Sequence, residues 1–517
     1  MSTFRNLLIA GFVSDIGTFM QSVGAAWLMV SLNAGPMYVA LTQTASSLPF
    51  FLLALPAGAV GDIVDRRKLI LATETWMTAM ALIMAVLAIG GFMSPWILLA
   101  LTFALSAGEA FETPTWRAIL PELVSRDDLA AASALNGIEF NLARAVGPGL
   151  AGAIIAAAGV STAFAVNFFS FFGVILVIAR WKRPKPKTSL PPETIKGATD
   201  AAVRYVWHSP GILKVVICTG VVMFFSSALF ALLPSVARST SASAVGYGIL
   251  LGCFGTGAIL GALMLQPARS RWSTATIVCA GTVVLGLVIV ATSGLQRLGA
   301  LSPLVLVGGA AWVLFISLIN ALVQNLAPDW VRARVLAIFT LVYMGSFALG
   351  SAAWGAVGQQ AGIGSALIYA GVGTIASAAF VFFVKLPTSI PDLSPWHHWR
   401  MPVIAKADGA DLEVGPMLVT VEYMVIPEQQ AKFVEAINRY ARIRRRDGAY
   451  QWGIYQDTEA PDRYVETFLV HSWAEHLRQH ERQTQADQEL ERRVSSCISG
   501  EPKVHHMIYA HSKATSL

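Results

Sequence analysis

The sequence predicts an all-α membrane protein of twelve transmembrane helices in two six-helix bundles, followed by a C-terminal α+β ferredoxin-like soluble domain. Three observations lead there. Of the 517 residues only 13% are charged and 55% are hydrophobic, whereas a soluble globular chain carries about 25% charged residues. Apolar stretches long enough to cross a bilayer recur as six, a polar interval, then six. Past about residue 414 the composition becomes that of an ordinary soluble protein with a βαββαβ pattern.

A spanning helix needs about 20 apolar residues. The first-half stretches fall at 5–31, 38–61, 69–91, 96–117, 132–157 and 161–180. The second-half stretches fall at 212–234, 245–266, 275–293, 301–325, 334–357 and 363–384. The first is too long for the apolar core of a cleaved leader and reads as a span. The expected organisation is a first bundle over 1–180, a central loop over 181–211, a second bundle over 212–384, a linker over 385–413 and a soluble domain over 414–517.

Basic residues orient these spans. Connections 32–37, 90–95, 158–161 and 358–363 contain no Lys or Arg, while the alternate ones carry Arg66, Arg67 and Lys68, Arg117 and Arg126, Arg269 and Arg271, and Arg332 and Arg334. The positive-inside rule then places both termini and the central loop in the cytoplasm, with the protein in the inner membrane. The run at 181–187, Trp-Lys-Arg-Pro-Lys-Pro-Lys, follows a span directly. It therefore reads as an anionic-lipid contact rather than a nucleic-acid patch. Within the central loop, 198–207 reads as a short surface helix with Val203, Val206 and Trp207 on one side. Four scattered cysteines form neither a disulfide framework nor a metal spacing.

Pro114-Thr115-Trp116-Arg117 closes the fourth span and Pro328-Asp329-Trp330-Val331-Arg332 the tenth. Such duplication marks two-bundle transporters. Pro387, Pro391, Pro395 and Pro402 break any helix through the linker. Beyond it, Leu418 to Ile426 alternates as a strand, 428–446 reads as a helix stopped by Asp447-Gly448, and 450–456 and 463–470 as a strand pair. One long helix from Ser472 to about Cys497 and a strand at 504–510 complete the pattern.

The segment Gly58-Ala59-Val60-Gly61-Asp62-Ile63-Val64-Asp65-Arg66-Arg67-Lys68 resembles the major facilitator signature between the second and third helices. Gly58, Asp62, Arg66 and Arg67 match it; Ile63 replaces a basic residue and Asp65 a glycine. The resemblance implies a cytoplasmic gate of ion pairs made in one state and broken in the other. In the fifth span, Gly147, Pro148 and Gly152 resemble the Gly-Pro motif of proton-coupled exporters, with Ala151 in place of a glycine. Small residues four apart let helices approach closely, and a proline invites a kink. Ser14 to Gln21, Pro121-Glu122-Leu123-Val124 and Arg332-Ala333-Arg334-Val335 are similar to the branch of the superfamily that includes the enterobactin exporter, the transmembrane secretion effector family.

Charges inside a bilayer are expensive and so mark functional candidates. Asp15 lies ten residues past Arg5, about 15 Å along a helix. Glu109 and Glu112 share a face of the fourth span; Glu139 and Arg144 lie in the fifth. The second-half spans contain no Asp or Glu. A desolvated carboxylate favours protonation and can carry a proton, so Asp15 is the first candidate carrier and Glu109 the second. Pairing of Glu112 with Arg117 and of Glu139 with Arg144 is the structural alternative. Glu74, near a cytoplasmic helix end, is expected to be solvated. The arginine usual in the fourth helix of proton-coupled members has no counterpart around Ser106.

Residues 417–511 resemble the antibiotic-biosynthesis monooxygenase group of dimeric α+β barrels through Arg444 to Tyr450, Glu466 to Val470 and Ser472 to His476. That resemblance implies a homodimer through this domain. His476 and His480 share a helical face at a spacing that binds metal, but no further ligands accompany them. The expected function is secondary active transport by alternating access: proton-coupled export of a small amphipathic molecule, a siderophore or drug. Neither an enzyme, nor a cofactor, nor a metal, nor a nucleic-acid partner is expected. An importer on the same scaffold and a membrane-tethered monooxygenase or sensor are the alternatives.

Overall fold

The computed structural model describes residues 2–125, 127–181, 195–241, 243–387, 391–394, 396 and 415–509. The basic run of the central loop, Arg126 and most of the linker lie outside the described residues. Among the described residues, twelve helices are long and apolar enough to cross a membrane. In the first half these are α1 (Ser2–Ser31), α2 (Pro36–Ile63), α3 (Arg66–Ile89), α4 (Pro95–Leu123), α5 (Leu129–Ala158) and α6 (Val160–Arg180). A shorter helix, α7 (Ile195–His208), follows. The second half has α8 (Pro210–Ser241), α9 (Ala244–Arg271), α10 (Thr274–Thr292), α11 (Leu298–Leu326), α12 (Asp329–Ala361) and α13 (Ile363–Val384). Outward residues such as Leu263, Phe382 and Phe383 are exposed, as lipid-facing side chains on spanning helices should be.

The ends of these helices follow from local chemistry. Ser94, Ser243 and Ser273 cap α4, α9 and α10 through their side-chain oxygens. Asp65, which replaces the signature glycine, caps α3 by accepting the Lys68 N–H at 3.1 Å. Gly159 joins α5 to α6 at φ 84°, and Gly362 joins α12 to α13 at φ 88°. The same left-handed glycine turn at equivalent places in the two halves is a structural trace of the duplication, because only glycine enters that region freely.

The described residues form two compact units. One comprises those of 1–191, 215–321 and 339–388, and contains both bundles. Its bundles meet backbone to backbone along α5 and α9. A Cβ on Gly152 would stand 3.0 Å from the Ala244 carbonyl oxygen and from Gly248 Cα, and one on Gly248 would stand 2.8 Å from the Pro148 oxygen. On the other side, Thr44 of α2 donates to the Ala348 carbonyl of α12 at 3.0 Å. Near the α1–α2 turn, Arg238 of α8 donates to the Val30 carbonyl and to Asn33, and Trp27 stacks on Tyr247 of α9 with ring centroids 6.4 Å apart.

The second unit comprises the described residues of 192–214, 322–338 and 389–517. It contains a four-stranded antiparallel sheet in the order β2-β3-β1-β4, with β1 (Met417–Met424), β2 (Tyr450–Gln456), β3 (Arg463–Val470) and β4 (Lys503–Ile508). Helix α14 (Gln430–Asp447) and the alternating inward residues Val419, Val421, Tyr423 and Phe468 enclose its core. At the centre Glu466 is fully buried. It accepts from Tyr423 Oη and Trp452 Nε1, each at 2.8 Å, and from Arg444 Nε at 3.3 Å. The single helix expected after Ser472 is two helices, α15 (Trp473–Glu481) and α16 (Gln485–Ser495). Thr484 and Asp487 form a capping box that starts a new helix, and Arg446 holds Asp487 through two nitrogens at 2.8 and 3.0 Å.

Helix α7 belongs to this second unit. Its buried face is Ala201, Ala202, Tyr205 and Val206, while Val203 and Trp207 are exposed, so the expected apolar face is rotated. The face is set by what it meets. Arg204 Nη2 pairs with Glu475 Oε1 at 2.9 Å, and Arg482 pairs with the same oxygen at 2.7 Å. The Arg446 guanidinium lies over Tyr205, and Arg482 lies 4.5 Å over Trp330 in the α11–α12 turn. Tyr205 and Trp330 meet edge to face. The C-terminal domain is therefore fastened to the α11–α12 turn and to the central loop by side chains.

Two outcomes are expected. Gly152→Leu forces a side chain into the α5–α9 contact and should lower stability by about 1–3 kcal/mol, read as a lower melting temperature by size-exclusion of the purified protein. Glu475→Ala leaves the buried Arg482 and the half-buried Arg204 without their carboxylate. It should cost about 3 kcal/mol and accelerate hydrogen exchange in 195–208.

Candidate functional site

Six ionisable side chains from four helices of the first bundle make the candidate site: Asp15 on α1, Glu74 on α3, Glu109 and Glu112 on α4, and Glu139 and Arg144 on α5. Helical spacing brings Glu109 and Glu112 to one face, three residues apart. Tertiary packing of α1 on α5 and of α3 on α4 does the rest. The Asp15 and Glu139 carboxyl groups stand within hydrogen-bonding reach of each other, and so do those of Glu74 and Glu112. Glu139 Oε1 and Glu74 Oε2 are buried and meet no ordinary donor. Each bond thus closes only when one of the two carboxyls carries a proton.

Arg144 does not neutralise the cluster by an ion pair. Its guanidinium lies 4.9 Å over the Phe140 ring and 5.9 Å over Phe19, within electrostatic reach of Asp15 and of Tyr343 on α12. Among the described residues no ion pair joins Glu112 to Arg117 or Glu139 to Arg144. The alternative pairings are therefore replaced by carboxyl–carboxyl contacts. Glu74, expected to be solvated, is only 2% exposed, because α4 and α6 cover its face of α3. Glu74 was missed for that reason: distance from a helix end says nothing about which neighbours cover a face.

The second bundle brings aromatic rather than acidic groups. Phe339, Tyr343 and Phe347 stack in sequence along α12 with centroids 6.5 and 6.2 Å apart. Phe347 continues to Trp312 of α11 and Phe230 of α8. Further polar groups sit within the first bundle. Gln21 donates to Met84 Sδ at 3.1 Å, and Asn167 of α6 donates to Gln21. Trp116 reaches Asn136 at 3.4 Å, and Trp27 belongs to the contact with Tyr247.

The gate residues divide. Arg66 donates to the Ala118 carbonyl at 2.8 Å and pairs with Glu122 at 2.9 Å. Arg67 donates to the carbonyls of Ile178 and Ala179. Both therefore tie α3 to neighbours in their own bundle, α4 and α6. Gly58 lies in α2 with open space beside it; the Asp62 side chain lies outside the described residues. In α5 a Cβ on Gly147 would meet Phe19 Cβ at 2.7 Å. Gly147 thus seats α1, and Pro148 and Gly152 seat α9. The motif glycines serve two opposite faces of one helix.

In the C-terminal domain three histidines converge. His476 Nδ1 contacts Gln479 Oε1 at 3.1 Å, His480 Nε2 lies 3.3 Å from His476 Nε2, and His506 is ring to ring with His476 at 4.8 Å. Among the described residues no group of three or more His, Cys, Asp or Glu is arranged to hold a metal ion. Burial, then the neighbouring His480, pushes His476 down to about 3; burial, then the Arg444 charge, pushes His480 down to about 4. These rings fold neutral, while in the unfolded chain they titrate near 6.5. The unfolded state then binds more protons between those values, so stability falls as pH falls from about 6.5 toward 3. The loss should be on the order of a few kcal/mol, followed by tryptophan fluorescence melts, and His476→Gln should flatten the dependence.

The chain is 24% identical over 369 residues to the multidrug efflux pump Tap of Mycolicibacterium fortuitum, covering 69% of this chain and 89% of that one. It is 24% identical over 369 residues to the enterobactin exporter EntS of Salmonella typhi, covering 69% and 86%. Its fold is similar to the crystal structure of a single-site mutant of the nucleoside transporter NupG, with a TM-score of 0.62, 12% identity and coverage of 74% of this chain and 99% of that one. The family described as transmembrane secretion effector matches residues 1–514, and the chain, a twelve-helix membrane transporter of the major facilitator type, belongs to it.

Proposed function

We propose that the protein exports a small amphipathic molecule, a drug or a siderophore, from the cytoplasm across the inner membrane in exchange for protons. The observation that carries this reading is the pair of carboxyls, Asp15 and Glu139, that bond only through a proton, beside an aromatic wall in the other bundle. Relatives that are a multidrug efflux pump and an enterobactin exporter support export and the substrate class. With both termini in the cytoplasm, as the basic residues indicate, the contacts of Arg238 with Asn33 and of Trp27 with Tyr247 lie at the non-cytoplasmic end. Contacts at that end favour a state that loads substrate from inside.

Alternating access then runs as an exchange. Substrate entering from the cytoplasm displaces the proton shared by Asp15 and Glu139, which leaves to that side. The bundles rock about the α5–α9 and α2–α12 contacts. A proton from outside rebinds the pair, expels the substrate, and the empty cavity resets. The cytoplasmic signature of Gly58, Asp62, Arg66 and Arg67 would hold the opposite, outward-open state. We read the C-terminal domain as a control module in cis. The side-chain fastening of Glu475 to Arg204 supports that role over a homodimer alone, and mass photometry of the purified protein separates the two.

The test is reconstitution into inside-out vesicles with an acidic interior. Ethidium or a catecholate siderophore should accumulate, and the pH gradient should dissipate as it does. Asp15→Asn should abolish the proton-dependent component, a loss of at least about tenfold, equal to about 1.4 kcal/mol in the coupling step. Downhill movement indifferent to the gradient would remove antiport. Accumulation only with the gradient reversed would favour import.

A further inference from the structure

The exchange just described uses one of two carboxyl pairs. The other joins Glu74 of α3 to Glu112 of α4. Glu74 stands eight residues into its helix, about 12 Å from the start. It is 2% exposed. Its Oε2 is fully buried and meets no ordinary donor, while its carboxyl lies at hydrogen-bonding distance from that of Glu112. Thr78 donates to the Glu74 backbone carbonyl at 2.6 Å and leaves the carboxyl untouched.

Among the described residues no cation serves this pair. The charged groups that face it are Asp15 on α1 and Glu109 on α4, both acidic. Arg144 on α5 is spent on Phe19, Phe140 and Asp15. Helix α6, which also packs on α3, has no titratable group before Arg180 at its end. Two carboxylates in a dry interior without a cation cannot both stay ionised, because desolvation and mutual repulsion act together. One shared proton removes the repulsion and closes the bond.

We propose that Glu74 and Glu112 form a second proton-binding site, separate from Asp15 and Glu139. The two sites differ in access. Glu74 is sealed, and Glu112 is the partly exposed member through which a proton enters and leaves. Only an O–H bond forms or breaks. Loss of the proton leaves two repelling carboxylates between α3 and α4, and rebinding draws those helices together. A proton at each pair makes the exchange carry two protons per cycle. That stoichiometry rests on the proton-exchange reading above; occupancy of the pair does not.

Occupancy is tested by infrared spectroscopy of the full-length protein in lipid at neutral pH, reading the carbonyl band of protonated carboxyl groups. Glu74→Gln and Glu112→Gln should each remove the same component, since the new amide donates to the remaining carboxylate. The double substitution should remove no more. Asp15→Asn should remove a different component. An unchanged band in both Glu74→Gln and Glu112→Gln overturns the proposal, and using two variants guards against misfolding of one. Stoichiometry is read as protons moved per ethidium in proteoliposomes. The ratio should fall about twofold in Glu74→Gln, and an unaltered ratio overturns the coupling of this site. If wild-type protein moves ethidium without protons, the exchange reading fails, while the infrared result still decides whether the pair holds a proton.

Discussion

Among the described residues, five carboxyl groups in one helical bundle have a single arginine near them, and the way the protein tolerates this organises the rest of the structure. A carboxylate in a bilayer is costly unless paired or neutralised. Here the carboxyls face one another, Asp15 toward Glu139 and Glu74 toward Glu112. Such contacts are attractive with one proton and repulsive with none. Each pair thus has two states of opposite sign, which is the physical requirement for coupling a proton to a helix movement. The contacts also restrict the architecture. Charges lie on α1, α3, α4 and α5, so the partner bundle can be aromatic and neutral.

The contact between bundles has the complementary property. Between α5 and α9 glycines set the spacing: Gly152 and Gly248 bring backbones within van der Waals distance. In lipid, where apolar side chains gain nothing by meeting each other rather than acyl chains, close packing of small residues is a main source of adhesion. A contact made of glycines is also smooth. It allows two bundles to rock without disengaging interlocked side chains, while Gly147 on the opposite face keeps α5 seated on α1. The same helix carries Glu139 and Arg144, so movement at this contact and protonation of the first pair share one rigid element.

The C-terminal domain obeys different physics. Its charges are balanced by opposite charges: Glu466 by Arg444, Asp447 and Asp487 by Arg446, and Glu475 by Arg204 and Arg482. Two of the groups that hold it come from outside the domain. Arg204 belongs to the central-loop helix, and Trp330, under Arg482, belongs to the turn between α11 and α12. The similar Trp-bearing segment of the first half lies inside α4, where Trp116 reaches Asn136 instead. Both segments were expected to close a span; one instead lies within a helix and the other opens one.

The amino-acid sequence by itself determined the membrane-spanning elements and their count. Apolar stretches of bilayer length, serine and glycine at their ends and alternation in the tail strands are local properties, and each spanning segment falls where its hydrophobic run lies. It also showed that the membrane charges belong to the first half, since composition along the chain is visible without coordinates. Only the tertiary structure decided which charges meet. Glu112 turned to Glu74 rather than Arg117, and Glu139 to Asp15 rather than Arg144, because pairing depends on which helices pack, and sequence proximity favours the wrong partners. The same reason explains the rotated face of α7, whose apolar side is chosen by Arg446 and Trp330, both far away along the chain. It explains the break at Thr484 as well, where a cap competes with a helical run and wins because Arg446 holds Asp487 from another helix.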